Sequence, residues 1–314
     1  MENDRLPYIS VIITAYNRKE FLLNAIKSAI NQTLDKKYYE IIVIKNFEDK
    51  NIDEFINENK IVGIISNEES LGGKLVEAIN IARGAVISFL EDDDLFFENK
   101  LDIVYKEFKK NNNIVYYHNL RIPINKNGKT ININSEFTPP DINLSSISIK
   151  KSVIKVNKID KINLLGPQDA LMYLYALESN KKIIKGKEKL TYYMVHNSDS
   201  NIVTNSFEEY RRFVISNSNR YLNNYLALDN LFHSRKAVNF INSRITSAQI
   251  DRYALNSYKI PSKLVNYLLN STESLKYRIK HFLICVLIEV YPKSRKYFSN
   301  KIWDNHNKLI KEII

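Results

Sequence analysis

Four consecutive carboxylates, Glu91, Asp92, Asp93 and Asp94, follow the apolar run AVISFL at residues 85–90. Carboxylates packed this closely repel one another, and each is costly to remove from water unless a cation or a hydrogen-bond donor compensates its charge. The cluster therefore either spreads into solvent as a turn or holds a metal ion. The elements around it decide between these alternatives.

Apolar runs of strand length alternate with segments of helical periodicity in the first part of the chain. The strand-like runs are YISVIITAY (8–16), YEIIVIKNF (39–47), IVGIIS (61–66) and AVISFL (85–90). The first two are typical of strands buried on both faces, and the third is a shorter strand of the same kind. Segments with apolar residues at helical spacing connect the runs, and Gly84 is expected to cap the helix that precedes the fourth. The alternation predicts βαβ units and a mostly parallel sheet, hence an α/β fold.

Polar segments follow three of these predicted strands. Residues 14–18, residues 45–48 and the acid cluster each lie where an apolar run ends. Ligands of open α/β sheets bind beyond the carboxyl ends of the strands. We therefore expect the three segments to converge on one rim and form a nucleotide-sized cleft, which a solvated turn would not require.

Four motifs carry a resemblance to a known family. In chain order they are SVIITAYNR, EIIVIKNFED, SLGGKLVEAINIARGAVISFLEDDD and GPQDALMYLYAL. They resemble the motifs of family-2 glycosyltransferases, inverting enzymes of the GT-A fold that use nucleotide-sugar donors. The resemblance covers residues 8–200 and implies a Rossmann-like, mostly parallel sheet flanked by helices. We expect a GT-A domain at residues 1–204 and a basic α-helical C-terminal extension at residues 205–314, for which no family match is recognised.

The resemblance assigns roles to the acid cluster. In the family, an acid-x-acid pattern ends this strand, and its third position binds the metal ion that neutralises the departing diphosphate. Asp93 is thus expected to bind Mg²⁺ or Mn²⁺, and Glu91 to contact the ribose or the metal, with Asp92 as a helper. Glu91 stands where the family more often has Asp. Asp94 is expected to cap the next helix.

The motif TAYNR is implied to contact the nucleotide. Thr14 and Ala15 would lie near the base, Tyr16 and Asn17 beside the ring, and Arg18 in the same donor site. The alternative is a simple helix entry, with Asn17 as the N-cap and Arg18 in solvent.

Two further donor contacts follow the second and third strands. Family members commonly place paired aspartates where this chain has Lys45 and Asn46, so the donor base stays open, with UDP favoured over GDP. Asn46 offers a donor and an acceptor to a base edge, whereas Lys45 faces either a phosphate or solvent. Lys74 follows LGG, where the family often has a basic residue facing the diphosphate, at a helix N-terminus suited to anions.

A general base is implied by GPQDALMYLYAL. An inverting transfer needs a carboxylate that takes the proton of the acceptor hydroxyl. The family uses the Asp of a Glu-Asp pair that opens an amphipathic helix, and the pair here is Gln168-Asp169. The alternative for Asp169 is electrostatic stabilisation of the helix N-terminus. His196, in YYMVHNSDS, is either a third metal-side residue, as in some relatives, or an ordinary surface histidine.

The basic excess lies in the last third of the chain. Residues 201–314 hold 18 Lys and Arg against 8 Asp and Glu, whereas the formal net charge of the whole chain is +11. In SLKYRIKHFLICVLIEVYPKSRKYF, an apolar stretch at residues 282–290 is bracketed by six basic residues: Lys276, Arg278, Lys280, Lys293, Arg295 and Lys296. The stretch fits either a helix on an anionic lipid surface or a core helix of a small bundle. Nucleic-acid binding is not expected, because no glycine-rich or zinc module accompanies the charge.

Composition bounds the location and the rival functions. A single cysteine, no recognisable secretory signal and no apolar run of about 20 residues predict a cytoplasmic protein, peripheral to the membrane if its acceptor is a lipid-linked glycan. One rival is a catalytically inactive protein of the same fold that binds sugar nucleotides or lipid. The other is a nucleotidyltransferase, which would need a glycine- and arginine-rich loop after the first strand that TAYNRKEF lacks.

Overall fold

The computed structural model describes residues 6–131, 142–156, 168–196, 204, 206–256 and 259–313. These residues fall into two compact units. The first takes the described residues up to Pro123 together with Ile142–Met194, and the second takes residues 124–131 and the described residues from Val195 onward. The predicted boundary after residue 204 stays a prediction.

The first unit is built on an eight-stranded mixed sheet. Its strands are β1 (Ile9–Ala15), β2 (Tyr39–Lys45), β3 (Val62–Ile65), β4 (Val86–Glu91), β5 (Leu95–Phe96), β6 (Ile114–Ile124), β7 (Ile147–Lys150) and β8 (Lys182–Met194). They lie in the order β3-β2-β1-β4-β7-β6-β8-β5. The first four pair in parallel, while β7 is antiparallel to both β4 and β6, and β5 is antiparallel to β8. The predicted α/β class with a mostly parallel first half is confirmed.

Five helices accompany this sheet among the described residues. They are α1 (Lys19–Ile30), α2 (Lys50–Glu58), α3 (Leu71–Ile81), α4 (Lys100–Lys110) and α5 (Gln168–Glu178). Helix α3 begins at Ser70, whose hydroxyl accepts a hydrogen bond from the Gly73 N–H, an N-cap that satisfies one free backbone donor. The expectation that Gly84 caps this helix is wrong, because its C-cap is Ala82. The Gly84 backbone instead lies against β1, where a Cβ would meet the Ser10 nitrogen at 2.5 Å.

Strands β1 and β4 are buried because helices cover both faces of the sheet. Every residue of β1 is buried, and Ile12 and Ile13, which point to opposite faces, are both inaccessible. Helices α1 and α3 both pack against β1. The continuous apolar run predicted this two-sided burial.

The third strand differs from its prediction. Strand β3 forms where IVGIIS predicts it, but it is the edge strand of the sheet, and Val62 and Ile65 are exposed. An apolar run indicates a strand with apolar side chains. Whether that strand is buried depends on whether another strand or helix covers it.

The second unit contains five long or medium helices among the described residues. They are α6 (Phe207–Asp229), α7 (Arg235–Asn256), α8 (Leu264–Asn270), α9 (Leu275–Val290) and α10 (Ser294–Ile313). Helix α6 packs along α7, and α8, α9 and α10 each contact α7. The predicted helical character of the C-terminal region is confirmed for these residues. Across the described part of the chain, every helix falls short of the length and apolarity needed to cross a membrane.

Candidate active site

The carboxyl ends of β1, β2 and β4 bring the predicted polar segments together. Strand register places Thr14 opposite Glu91 and Ala15 opposite Lys45. Because the three strands are parallel, the loops after them leave the sheet at the same edge. The convergence expected from the sequence is therefore present, and the residues that follow line one rim.

The loop after β1 is held by a reciprocal pair of asparagines. The Asn17 backbone N–H donates to Asn46 Oδ1 at 2.9 Å, and Asn46 Nδ2 donates to Asn17 Oδ1 at 2.9 Å. Asn17 adopts a left-handed backbone conformation with φ of 56°, which Asn tolerates better than most residues. The N-cap of α1 is therefore Arg18, without a side-chain capping bond, and the Asn17 N-cap alternative is wrong. Tyr16 remains half exposed at the tip of this loop.

Arg18 lies against the acid cluster rather than in bulk solvent. Its Nη1 donates to Asp93 Oδ2 at 2.6 Å, and its Nη2 donates to Asp92 Oδ1. The guanidinium thus bridges two neighbouring carboxylates, an arrangement that is stronger than a single ion pair because both hydrogen bonds are charge-assisted. Arg18 is the compensating cation of the acids in this structure.

Asp94 and Lys100 are buried charged residues of this region. Asp94 is buried and accepts hydrogen bonds from the Met194 N–H at 2.8 Å and from Asn143 Nδ2 at 3.4 Å. The expectation that Asp94 caps the next helix is wrong, since α4 starts at Lys100 with Asn99 as its N-cap. The Lys100 ammonium, fully buried, donates to the Ser145 carbonyl and, at 3.1 Å, to Thr191 Oγ1.

The acids strongly perturb one another. Burial, reinforced by the charges of Asp94, Asp93 and Asp169, raises the pKa of Glu91 well above its usual range. Burial also raises the pKa of Asp92 to about 7 and that of Asp94 to about 7, with the Asp93 charge adding to both shifts. Mutual repulsion of this kind is typical of functional carboxylate clusters and is relieved when a cation binds.

Asp169 belongs to the same group of charges. It lies in the first turn of α5, where its Oδ1 accepts a hydrogen bond from the Ala170 N–H at 2.6 Å. Its negative charge is one of the causes of the raised pKa of Glu91. Asp169 thus acts electrostatically on Glu91, from which 78 positions of sequence separate it, and its role as the base stays a prediction.

Two lysines of the rim are engaged with the protein itself. Lys74 lies beside Tyr16, with its Nζ 4.6 Å from the ring centroid, but it donates to the carbonyls of Glu68 and Glu69. Its predicted contact with a diphosphate stays a prediction. Lys45 does not face solvent, because its buried ammonium forms an ion pair with Asp53 of α2 at 2.8 Å. Its alternative contact with a phosphate stays a prediction.

The acid cluster has the donor chemistry that a hard divalent cation requires. No group of three or more Asp, Glu, His or Cys side chains poised around a common metal position is found in the part of the chain that the structure describes. Mg²⁺ at phosphate-transfer sites, however, is usually held by only one or two carboxylates, with substrate phosphates and water completing the shell. Asp93 Oδ2, bound to the Arg18 guanidinium, and the buried Asp92 Oδ2, which makes no hydrogen bond of normal geometry among these residues, fit that sparse coordination.

The remaining predicted residue is His196. It follows β8 and belongs to the second compact unit, so its metal-side role stays a prediction. Residues 197–200 of YYMVHNSDS, and residues 166 and 167 of GPQDALMYLYAL, lie outside the described residues.

Three residues of the site escaped the sequence reasoning. Lys100 and Ser145 support the acids from below, with the Ser145 hydroxyl accepting from the Glu91 N–H at 2.9 Å. Arg121 of β6 lies over the Tyr193 ring at 4.3 Å, and its charge lowers the pKa of Asp94 against the other contributions. Lysine and arginine are common in this chain, and nothing local distinguishes these two from surface residues.

Comparison with known proteins now adds to the geometry. The model of the family described as Glycosyl transferase family 2 matches residues 10–164, which include β1, the TAYNR loop and the whole acid cluster. Residues 10–164 form a family-2 glycosyltransferase domain. The resemblance predicted from the motifs is confirmed, and the family is one of transferases. Asp169 lies just beyond the matched residues.

Curated relatives carry the same family name. An uncharacterized glycosyltransferase of Methanocaldococcus jannaschii is 29% identical over 216 residues, which are 62% of this chain and 73% of the relative. A UDP-Glc:alpha-D-GlcNAc-diphosphoundecaprenol beta-1,3-glucosyltransferase of Escherichia coli is 27% identical over 64% of this chain and 82% of its own length. Four other relatives are longer proteins, and this chain spans only 19% to 32% of each.

A solved structure shows the fold. Residues 1–349 of S. aureus TarS, in complex with UDP-GlcNAc, superpose with a TM-score of 0.52 at 15% identity, covering 96% of this chain and 90% of that one. At this level of identity the likeness establishes the architecture. The GT-A fold expected from the sequence is confirmed.

Proposed function

We propose that this protein is an inverting glycosyltransferase that moves a sugar from a UDP-sugar to an acceptor hydroxyl on a lipid-linked or polymeric glycan. One observation carries the proposal. The strand-end loops and the four acids meet at one rim, and the charge of Asp169 contributes to the raised pKa of Glu91 there. Family membership indicates the class of reaction. The residues of the rim include candidates for nucleoside binding and for cation binding, and Asp169 is the candidate for the general base.

The nucleoside would bind on the side of the rim formed by β1 and β2. Thr14, Ala15 and Tyr16 are joined there by the Asn17–Asn46 pair, whose amide groups can exchange their mutual hydrogen bonds for those of a base edge. Tyr16, half exposed, offers a ring face for stacking. The donor bound to TarS contains uridine, which supports a UDP-sugar here.

Asp93 would hold the divalent cation, Mg²⁺ or Mn²⁺, with Glu91 or Asp92 as a second carboxylate. The cation supplies charge neutralisation of the diphosphate leaving group when it is bound. Arg18 holds Asp92 and Asp93 in place until then, since its guanidinium already spans the two carboxylates. A cation bound to Asp93 would supply positive charge where Arg18 supplies it in this structure.

Asp169 would act as the general base. The acceptor oxygen forms a bond to the anomeric carbon while the bond from that carbon to the diphosphate breaks, and the electron pair leaves with the diphosphate. The proton of the acceptor hydroxyl passes to a carboxylate oxygen of Asp169. Attack from the face opposite the leaving group inverts the anomeric configuration.

The acceptor class is supported by a relative. The Escherichia coli enzyme acts on a sugar linked to diphosphoundecaprenol, as its name states. A lipid-linked acceptor of this kind would place the present protein at a membrane surface.

The test is a donor panel. Wild-type protein with Mn²⁺ is incubated with UDP-, GDP- and dTDP-sugars, and release of the nucleoside diphosphate is measured with and without a polyprenyl-diphosphate sugar. We expect release from a UDP-sugar that the acceptor accelerates, and NMR of the product should show an inverted anomeric centre. Retained configuration, or failure of every nucleotide sugar to react, would refute the proposal.

A further inference from the structure

Helix α9 has two apolar faces, and the described residues of the chain cover only one of them. The inner face carries Cys285 and Ile288, which are buried against α7 and α8 in a cluster with Tyr253, Leu264 and Tyr267. This packing matches the small helical bundle that was one of the two alternatives for the apolar stretch. It accounts for one side of the helix only.

The outer face of α9 is an exposed apolar stripe. Ile279, Leu283, Leu287 and Val290 recur at helical spacing, and each exposes between 43% and 78% of its surface. With 100° per residue, these positions lie opposite Cys285 and Ile288. The neighbouring helix α8 adds the exposed pair Val265 and Leu269. A row of this length is unusual on a solvated helix, because an outward face normally carries charged residues.

Exposed lysines flank this stripe at both ends. Lys276 and Lys280 lie on the solvent side of its first turns, and Lys293 and Lys296 follow its last residue, all exposed. The other two basic residues of the region serve the fold instead. Arg278 donates to the carbonyls of Leu268 and Leu269 at 2.8 and 3.0 Å, and Arg295 lies over the Tyr253 ring at 5.1 Å. Only four of the six basic residues singled out from the sequence are thus placed to meet a partner.

The acidic side chain of α9 is already engaged. Glu289 is the only acid in the helix, and its Oε1 accepts a hydrogen bond from the Tyr253 hydroxyl at 2.6 Å. Glu289 is exposed but turned toward α7 by this bond, and the four lysines outnumber it, so the surface around the stripe is apolar in the middle and net cationic at the ends.

We propose that the outer face of α9 docks on the surface of a bilayer that contains anionic lipid. The stripe formed by Ile279, Leu283, Leu287 and Val290 would enter the region between headgroups and acyl chains, and Lys276, Lys280, Lys293 and Lys296 would contact the headgroups. Apolar burial and attraction to anionic lipid act together in such interfacial helices.

Charge favours a lipid surface over a second copy of this chain. A twofold contact through the stripe would place the same face of both copies together. Either end of that face carries two lysines, and the one carboxylate of α9, Glu289, is held toward Tyr253 of α7 by a hydrogen bond, so the contact would bring like charges together at both ends. An anionic bilayer complements them instead.

The experiment measures co-sedimentation with vesicles and requires no enzymatic activity. Wild-type protein is mixed with vesicles of phosphatidylcholine alone, or of equal parts phosphatidylcholine and phosphatidylglycerol. We expect sedimentation only with the anionic vesicles and release at high salt. The double variant Leu283→Ser with Leu287→Ser should lose sedimentation, whereas Leu226→Ser, which changes a comparably exposed leucine of α6, should keep it.

The lysines are tested in the same assay. Removing Lys276 and Lys280 as Gln should weaken vesicle binding roughly fivefold per lysine, while changing the exposed Lys301 and Lys308 of α10 to Gln should leave it unchanged. Circular dichroism checks that each variant is folded.

Three results would overturn the proposal: wild-type protein that stays in the supernatant with anionic vesicles, equal binding to neutral vesicles, or a dimer in light scattering that the leucine variant dissociates while vesicle binding is absent. Since none of these readouts depends on transfer, failure here leaves the proposed function standing, and failure of the donor panel leaves this proposal standing.

Discussion

Asp169→Asn separates chemistry from binding and folding. The amide has the shape of the carboxylate, and its oxygen can still accept the 2.6 Å hydrogen bond from the Ala170 N–H. We therefore expect the free energy of unfolding to change by no more than about 0.5 kcal/mol. Loss of a positioned base lowers turnover by roughly 10²–10⁴-fold, which corresponds to about 3–5 kcal/mol of transition-state stabilisation.

The affinity of Asp169→Asn for the donor should not fall with its turnover. The Asp169 charge is one of the charges that raise the pKa of Glu91, so its removal reduces repulsion in the cluster. The variant should bind the donor as well as wild type or slightly better, while its turnover collapses.

The assay combines steady-state turnover at saturating donor with calorimetric donor titration. Glu178→Gln is the matched control, because it removes a carboxylate from the last turn of the same helix α5. Wild-type turnover in Asp169→Asn would refute the assignment of the base. A parallel loss of donor affinity, or of stability, would show that Asp169 is a structural or binding residue.

Three further predictions rest on other parts of the molecule. Arg18→Gln should tighten donor-free Mn²⁺ binding measured by electron paramagnetic resonance, because the guanidinium no longer competes for Asp92 and Asp93; weaker binding would contradict that competition. Lys100→Met should lower the free energy of unfolding in urea by about 1–3 kcal/mol, since two buried acceptors each lose one of their two donors, whereas Lys106→Met on the exposed face of α4 should change it by under about 1 kcal/mol. Burial raises the pKa of Asp251 to about 7, so the stability that its protonated form contributes is complete below about pH 4 and is lost as pH rises through 7. The free energy of unfolding of Asp251→Asn in urea should therefore increase relative to that of wild type between pH 5 and pH 8. The same difference in free energy at both pH values would contradict this prediction.

The central strands could be predicted because their physical cause is local. A residue run such as YISVIITAY has apolar side chains on both faces, and only a strand covered on both sides accommodates it. The position of the acid cluster follows by the same logic, since charges that come directly after an apolar run mark the end of the strand, although the burial of Asp92 and Asp94 does not follow from it. The exposed strand β3 shows the limit of this prediction, because an apolar run does not indicate whether a neighbouring element covers the strand.

The compensating charges of the site could not be predicted. Arg18 meets Asp93 across 75 positions of sequence, and Lys100 meets Thr191 across 91. Such pairings depend on how loops leave the sheet. The burial of Lys45 could not be predicted for a related reason: its partner Asp53 is supplied by α2, and the sequence of a strand-end lysine is the same whether it faces solvent or a carboxylate of another element.

The C-terminal region was predictable in its secondary structure but not in its faces. The apolar content of residues 282–290 indicates a helix whose side chains are buried against another surface. Either a helical bundle or a lipid surface could bury them. The structure assigns one face to the bundle through Cys285 and Ile288 and leaves the other exposed. Helical periodicity alone could not predict which of the apolar residues pack in the bundle and which remain exposed.

Calorimetric titration of a UDP-sugar into wild-type protein and into Asp93→Ala, each with Mn²⁺ and with EDTA, tests the central claim most directly. The proposed donor site predicts binding to wild type that requires Mn²⁺ and is abolished in Asp93→Ala, with the Glu178→Gln control unaffected. Binding that persists at full affinity in Asp93→Ala, or in EDTA, would contradict a donor site built on the acid cluster at the end of β4.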